Sequence, residues 1–413
     1  MAQSIYLSRR KKLVKQTNAP VLLVAGFEEQ RSRFLQDSTF YYFTGCNEPG
    51  AVCLLHPDGT SVLYIPQYAT NRAQWIPGAL EADDQTAERF GFEKIEYLGA
   101  ACKGYTLPAY FDAALYGNLI DALKKSIAQH DALYVLKKNY TVDALSLVVP
   151  GMAACMQDLM PLVAQMRRLK SKEEIQLLHD AIDVTILAQE AAARAIKVGV
   201  NECQVAAAID YVFTESGALK AFPSIVGSGV NATVLHYNDN CREMQTGDGV
   251  IVDVGACLGH YCGDLTRTYP VSGTFTKQQK EIYTAVLETQ QLLADTAAPG
   301  YWLRNDDEQE KSLYHVMHSF LKTRKLEQHI VHGVGHFLGL DVHDVGDVKL
   351  PLQEGDVITI EPGIYIPGEE GKTSPFGVRI EDNYWIVQGG AVCLSEMLPR
   401  DIEGVQELVR QGF

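Results

Sequence analysis

The chain has 413 residues, 46% of them hydrophobic and 21% charged, which suits a folded protein of two or three domains with a sizeable core. Its net charge of -15 argues against the basic footprint of a nucleic-acid binder, and no apolar run is long enough to span a bilayer. Nine cysteines, an odd number without a C-x-x-C spacing, suit free thiols in a reducing compartment; the start, MAQSIYLSRRKKLVKQ, has basic residues but no apolar core or cleavage site, so a cytoplasmic location is expected.

The first part of the chain alternates strands and helices. Ala19–Gly26 (APVLLVAG) reads as a buried strand ended by glycine. Ala51–Pro66 carries two apolar runs around Pro-Asp-Gly-Thr, a hairpin signal, and His130–Asn139 is a further strand. Residues 1–160 are therefore expected to form a small α/β domain. The texture changes near Met160-Pro161. A long helix follows, with Ser171 as N-cap, Glu174 completing a capping box and Gly199 as the stop. Asn201 opens a second helix that ends at Gly217, and Thr276 opens a third. Helices and strands then mix, so residues 161–413 are expected to form a larger α+β domain.

The informative stretches lie in that second part. VDVGACLGHYCGDLT (Val252–Thr266) reads as a hairpin turning at Leu258-Gly259, which sets Asp253 opposite Asp264. Cross-strand partners have Cβ atoms roughly 4.5–5.5 Å apart. Two buried carboxylates so close repel, and one must protonate unless a cation lies between them. A second pair repeats the theme: Glu361 in VITIEPGIYI and Glu381 in FGVRIEDNYWIV are centred on Gly371, and Arg379 points to the same strand face as Glu381. The segment HGVGHFLGLDVHD (His332–Asp344) holds His332, His336 and His343 among glycines that disfavour a helix. It is not an H-E-x-x-H motif. Four carboxylates carry about -4 if all ionise, a charge that two divalent cations neutralise and that is very costly to bury otherwise. Oxygen ligands with one imidazole favour manganese-like or cobalt-like ions. Cys257 and Cys262 are read as small buried hydrophobes, Asp341 and Asp344 as capping or turn residues, and His56, His130, His179 and His260 as surface or structural.

In the order Asp, Asp, His, Glu, Glu, the contexts VDVG, GDLTRTYPV, HGVGHFLGLDVHD, TIEPGIYI and VRIED resemble the proline-specific metallopeptidases of the pita-bread fold, aminopeptidase P and prolidase. FYYFTGCNEPGAVCLL (Phe40–Leu55) is similar to the N-terminal domain of aminopeptidase P, FPSIVGSGVNATVLHY (Phe222–Tyr237) to the start of the catalytic core, and LSEMLPRDIEGVQ (Leu394–Gln406) to the family's ending. The resemblance implies an N-terminal aminopeptidase P-like domain over 1–160 and a pita-bread catalytic domain over 161–413. It implies two divalent ions per subunit, manganese first with cobalt or zinc as alternatives, and a bridging hydroxide as nucleophile. It assigns Asp253, Asp264, His336, Glu361 and Glu381 as ligands, Asp264 and Glu381 bridging and Glu361 also moving the proton. His236 and His343 become non-ligand histidines beside the ions, Arg379 an organiser of the ligands and the substrate end, and His332 and Tyr365 pocket residues. The implied activity is removal of the residue before proline from peptides, with Xaa-Pro dipeptide cleavage as the alternative and a non-catalytic binding module more remote. A metal-free, creatinase-like hydrolase is a further reading, and like the binding module it should show substituted ligands, which this chain does not. A homodimer or homotetramer is implied, without nucleic-acid or membrane partners. Glu28 and Glu29 are candidates to meet the substrate amine.

Overall fold

The structure is a computed structural model that describes residues 3–28, 33–69, 80–102, 111–368 and 374–412. The chain divides into two compact units, Met1–Met166 and Arg167–Phe413. The sequence-based boundary near residue 160 lies at the start of the helix Met160–Arg168, and the division between units falls in that helix's last turn.

In the first unit the apolar runs become strands β1 (Val21–Val24), β2 (Val52–Leu55), β3 (Ser61–Ile65), β4 (Lys94–Tyr97), β5 (Leu133–Val135) and β6 (Met156–Asp158). They form one mixed sheet in the order β4-β3-β2-β1-β5-β6. Strand β1 sits inside it, antiparallel to β2 and parallel to β5, and all four of its residues are buried, as an uninterrupted apolar run requires. The predicted hairpin is β2–β3, closed by the His56 N–H on the Thr60 carbonyl at 2.8 Å.

The second unit opens on the helix Lys172–Ala195. Its capping box is present as expected: Glu174 N–H donates to Ser171 Oγ, and Ser171 N–H to Glu174 Oε2. The helices Glu202–Glu215 and Lys277–Thr296 follow their predicted caps, Asn201 and Thr276. Strands β7 (Leu219–Lys220), β8 (Ile225–Ser228), β9 (Gly249–Val254), β10 (Ala256–Leu258), β11 (Tyr261–Cys262) and β12 (Leu265–Pro270) form two small sheets, β12-β9-β8 and β11-β10-β7. Strands β13 (Val357–Ile360), β14 (Gly363–Ile366), β15 (Phe376–Arg379), β16 (Asp382–Val387) and β17 (Gly390–Cys393) make β13-β16-β17 and β14-β15. Single bridges join the layers, Thr266 to Glu381 and Phe337 to Ile358.

One register expectation needs correcting. The turn after β10 is Gly259-His260, not Leu258-Gly259, and both residues have positive φ, 57° and 73°. That pair of left-handed residues matches the twist of a two-residue hairpin. The shift places Asp253 opposite Thr266. Asp264 therefore leaves the ladder, in the break between β11 and β12. The other expected centre holds: Val357 faces Trp385 and Gly363 faces Arg379, both about Gly371, which itself lies outside the described residues.

Asp344 is not a turn or capping group. It is buried and accepts from Arg167 at 2.5 Å and Lys170 at 2.9 Å, while the more exposed Asp341 accepts from Arg167 at 2.7 Å. These bonds pin the end of the histidine segment to the start of the unit. Burial alone would raise the Asp344 carboxyl, but Lys170 and Arg167 outweigh it and hold it below the ordinary range. A carboxyl so depressed stabilises the fold above its unfolded pKa, about 3.9, and loses that contribution as pH falls through the lower folded value. Asp344→Asn is expected to cost about 3–5 kcal/mol at pH 7, as removal of one partner from a buried pair does. Urea unfolding of the full chain reads this loss, and the difference from wild type should shrink only in strong acid.

Candidate metal centre

The five ligand candidates come from three segments that share one cavity of about 600 Å³ in the second unit. Asp253 is the penultimate residue of β9, and Asp264 sits in the break before β12. Glu361 and Glu381 occupy equivalent positions between the β13–β16 and β14–β15 ladders. His336 enters from the loop that bridges to β13. Gly335 permits that approach, because a Cβ there would run into the Thr359 carbonyl. Asp264, His336 and Glu381 offer ligand atoms all within 4.8 Å of one another.

Each candidate ligand is aimed by neighbours. The His336 Nδ1–H donates to the Phe337 carbonyl at 3.0 Å, which turns Nε2 toward Asp264 at 3.4 Å and Glu361 at 3.6 Å. Asp264 is clamped through its backbone by Asn383, whose Nδ2 donates to the Asp264 carbonyl at 2.6 Å. Thr266 donates to Glu381 at 2.7 Å, and Thr359 donates to Glu361 at 3.4 Å. Arg379 donates to Asp253 at 2.6 Å, to Tyr365 at 2.7 Å and to Thr266 at 3.3 Å. Behind them, Gln189 of the long helix donates to the Val252 and Leu265 carbonyls, holding β9 and β12 together.

Thr266, Thr359, Asn383 and Gln189 went unnoticed in the sequence. A signal existed for the first two. Each threonine lies two residues from a ligand, so strand alternation puts both side chains on the ligand's face. Asn383 shares that spacing, two residues after Glu381, but its partner is the Asp264 backbone; Gln189 acts across the fold on the Val252 and Leu265 carbonyls and has no local signal.

The electrostatics are those of a cluster that lacks positive charge. Burial, with Asp253 and Glu361 adding to it against His336, lifts the Asp264 carboxyl to about 7. Burial and the neighbouring carboxylates also raise Glu381, and burial raises Glu361 against His336 and Arg379. Burial would lower His336, but Asp264 and Glu361 overcome it and lift the imidazole to about 9. One oxygen of Asp253 and one of Asp264 are buried without a hydrogen bond among the described residues. Orphaned anionic oxygens beside an imidazole are what a divalent cation satisfies, so the donor set fits a metal.

The remaining predicted residues line the same space. His332 Nδ1–H donates to the Gly333 carbonyl, and Tyr365 donates to His332 Nε2 at 2.9 Å. Burial and Arg379 lower His332 to about 4, so its ring is neutral. The His343 ring lies 4.2 Å from that of His336, and burial followed by His336 lowers it as well. His236 and Asn238 line the cavity too, and Phe222, Pro223, Leu235 and Val342 supply apolar lining. Cys257 and Cys262 are buried and face each other across the hairpin outside the cavity lining. Glu28 lies in the first unit, and Glu29 lies outside the described residues.

The chemistry open to this cluster is narrow. Oxygen ligands with one imidazole hold a divalent ion, and a cavity that joins them to neutral histidines and an apolar side suits hydrolysis of a bound substrate; the class is a metallopeptidase. The profile of metallopeptidase family M24 matches residues 176–388, and that of the aminopeptidase P N-terminal domain matches residues 6–104. The chain is 30% identical to an Xaa-Pro aminopeptidase of Haemophilus influenzae, over 95% of this chain and 94% of that protein. It is 33% identical to the Xaa-Pro aminopeptidase of Escherichia coli, over 97% and 96%. The solved structure of E. coli aminopeptidase P with the inhibitor Pro-Leu superposes with a TM-score of 0.86 at 29% identity, covering 100% of this chain and 99% of that one. The chain belongs to metallopeptidase family M24, with an aminopeptidase P N-terminal domain ahead of its pita-bread unit.

Asp264→Ala removes a carboxylate that no neighbour replaces. Its metal affinity should fall by more than the roughly 10–100-fold that loss of an outer hydrogen-bond partner costs. Metal content after gel filtration measures this, and retained stoichiometric metal would contradict the ligand set.

Proposed function

We propose that the chain removes the N-terminal residue from peptides whose second residue is proline, using two divalent ions, manganese foremost, held by Asp253, Asp264, His336, Glu361 and Glu381. The observation that carries this reading is the convergence of the five groups, two with unpartnered buried oxygens, in one cavity with an apolar side. The names of the relatives support the substrate class. Four ionised carboxylates carry about -4, the charge of two divalent ions, and Arg379 offsets only one unit of it.

Bound ions lower the pKa of water toward neutrality and polarise a carbonyl. The residues of the chain do the rest. Glu361 takes a proton at its carboxylate and delivers it to the departing proline nitrogen, as base and then acid. That nitrogen is tertiary in the peptide and has no hydrogen to offer a backbone-reading site, so recognition falls to shape. Phe222, Pro223, Leu235 and Val342 provide an apolar surface for it. His236 and His343 donate to the carbonyl oxygen as it gains charge. Arg379 fixes Asp253 and, through Tyr365, the His332 ring.

The same reading carries a cytoplasmic location and assembly as a homodimer or homotetramer, which sedimentation would test. All nine cysteines are free thiols, and among the described residues no helix is long and apolar enough to cross a membrane. Manganese-loaded protein should hydrolyse Xaa-Pro-Yaa tripeptides faster than matched Xaa-Pro dipeptides. The reverse preference would make it an Xaa-Pro dipeptidase, and no hydrolysis of either would reject the assignment. His343→Ala should keep its metal and lose about 10²–10³ in kcat, the usual cost of one oxyanion donor. Loss of metal instead would make His343 a ligand.

A further inference from the structure

His236 is exposed, on a loop without regular structure, and its side chain makes no hydrogen bond among the described residues. Something else must hold it over the cavity. The neighbouring residues lead to one buried carboxylate that the metal cluster does not include. Glu202, fully buried in the first turn of the helix Glu202–Glu215, accepts hydrogen bonds from four residues of the segment that carries His236. Its Oε1 accepts from the Ser228 N–H at 2.7 Å, the Ser228 hydroxyl at 2.6 Å and Asn231 Nδ2 at 3.2 Å. Its Oε2 accepts from the Tyr237 hydroxyl at 2.8 Å and the Arg242 N–H at 2.9 Å.

The placement of these donors is telling. Ser228 is the last residue of β8, where the chain leaves the sheet. Asn231 lies in the short turn that follows, Tyr237 adjoins His236, and Arg242 is where the chain returns beside Asn201. One carboxylate thus ties the beginning, middle and end of the loop to a single point on a helix. Arg242 closes the arrangement from outside, donating to Ser228 Oγ at 2.8 Å and Asp248 at 2.5 Å. A second tether, Asn240 to Val226 and Ser224, fixes the far side of the loop but reaches none of the residues next to His236. The helix N-terminus favours negative charge at Glu202, so the group accepts without a side-chain cation of its own.

We propose that Glu202 is a positioning residue for the reaction, setting His236 over the metal cluster by gripping Tyr237 and both ends of its loop. This inference rests on the role given to His236 above. An amide at this position cannot reproduce the grip, because one of its two heads is a donor and would face donors.

Glu202→Gln should therefore lower kcat/KM on an Xaa-Pro-Yaa peptide by roughly 10–100-fold, with bound manganese unchanged. Combined with His236→Ala it should add little to the loss caused by His236→Ala alone, since both remove the same contribution. Amide exchange at Ser228 and Arg242 should quicken in Glu202→Gln while the β9 and β12 amides stay protected. Tyr237→Phe removes one donor to Glu202 and the acceptor of the Cys241 N–H, keeps the ring, and should show a smaller loss of the same kind. It also serves if the glutamine variant does not fold. Losses that multiply in the double variant, or unchanged exchange at both amides, would overturn the proposal. A His236→Ala protein with full turnover would instead overturn the role of His236, and the exchange data would still decide whether Glu202 holds the loop.

Discussion

Four carboxylates forced into one cavity are the constraint on which the rest of this unit depends. Separated, Asp253, Asp264, Glu361 and Glu381 would be ordinary surface groups. Together and buried they are costly to ionise: burial first, and the neighbouring carboxylates after it, raise the carboxyls of Asp264, Glu361 and Glu381. The fold answers it in two ways. It supplies directed donors, Arg379, Thr266 and Thr359, which satisfy some of the oxygens. It also leaves oxygens of Asp253 and Asp264 for a cation to satisfy. A cation bound by such a cluster would add its binding free energy to local folding.

The surroundings follow from the need to keep that cluster in register. Strands β9 and β12 are buried along their whole length and are fastened from behind by Gln189. Thr266 links the first hairpin to Glu381 by a backbone bridge and a side-chain bond at once. The histidine loop is anchored at one end by its bridge to β13 and at the other by Asp344 on Arg167 and Lys170. Glu202 extends the same logic to the loop that carries His236. A carboxylate surrounded by donors there needs no metal, and its satisfied state contrasts with the orphaned oxygens of Asp253 and Asp264.

Much of the fold was readable because its signals are local. The capping box at Ser171 and the helix starts at Asn201 and Thr276 rest on residues a few positions apart, and all three form. The β2–β3 hairpin and the centre of the Glu361–Glu381 pairing also came from spacing alone. The Asp253–Asp264 pairing failed by one residue. Turn identity depends on backbone angles that leucine disfavours, and His260 rather than Leu258 takes the second left-handed position. The burial of Asp344 was equally hidden, since its partners lie more than 170 residues earlier in the chain.

By itself, the sequence determined the chemical types: which carboxylates and which imidazole, on strands or glycine-rich loops, in an order that resembles one family. Residue identity and short-range period carry that information. Only the tertiary structure decided which oxygens remain unpartnered, which rings are neutral, and that Asn383, Gln189 and Glu202 hold the site in place. Those properties arise from contacts between segments far apart in the chain, and their strength depends on burial that no local stretch of sequence encodes.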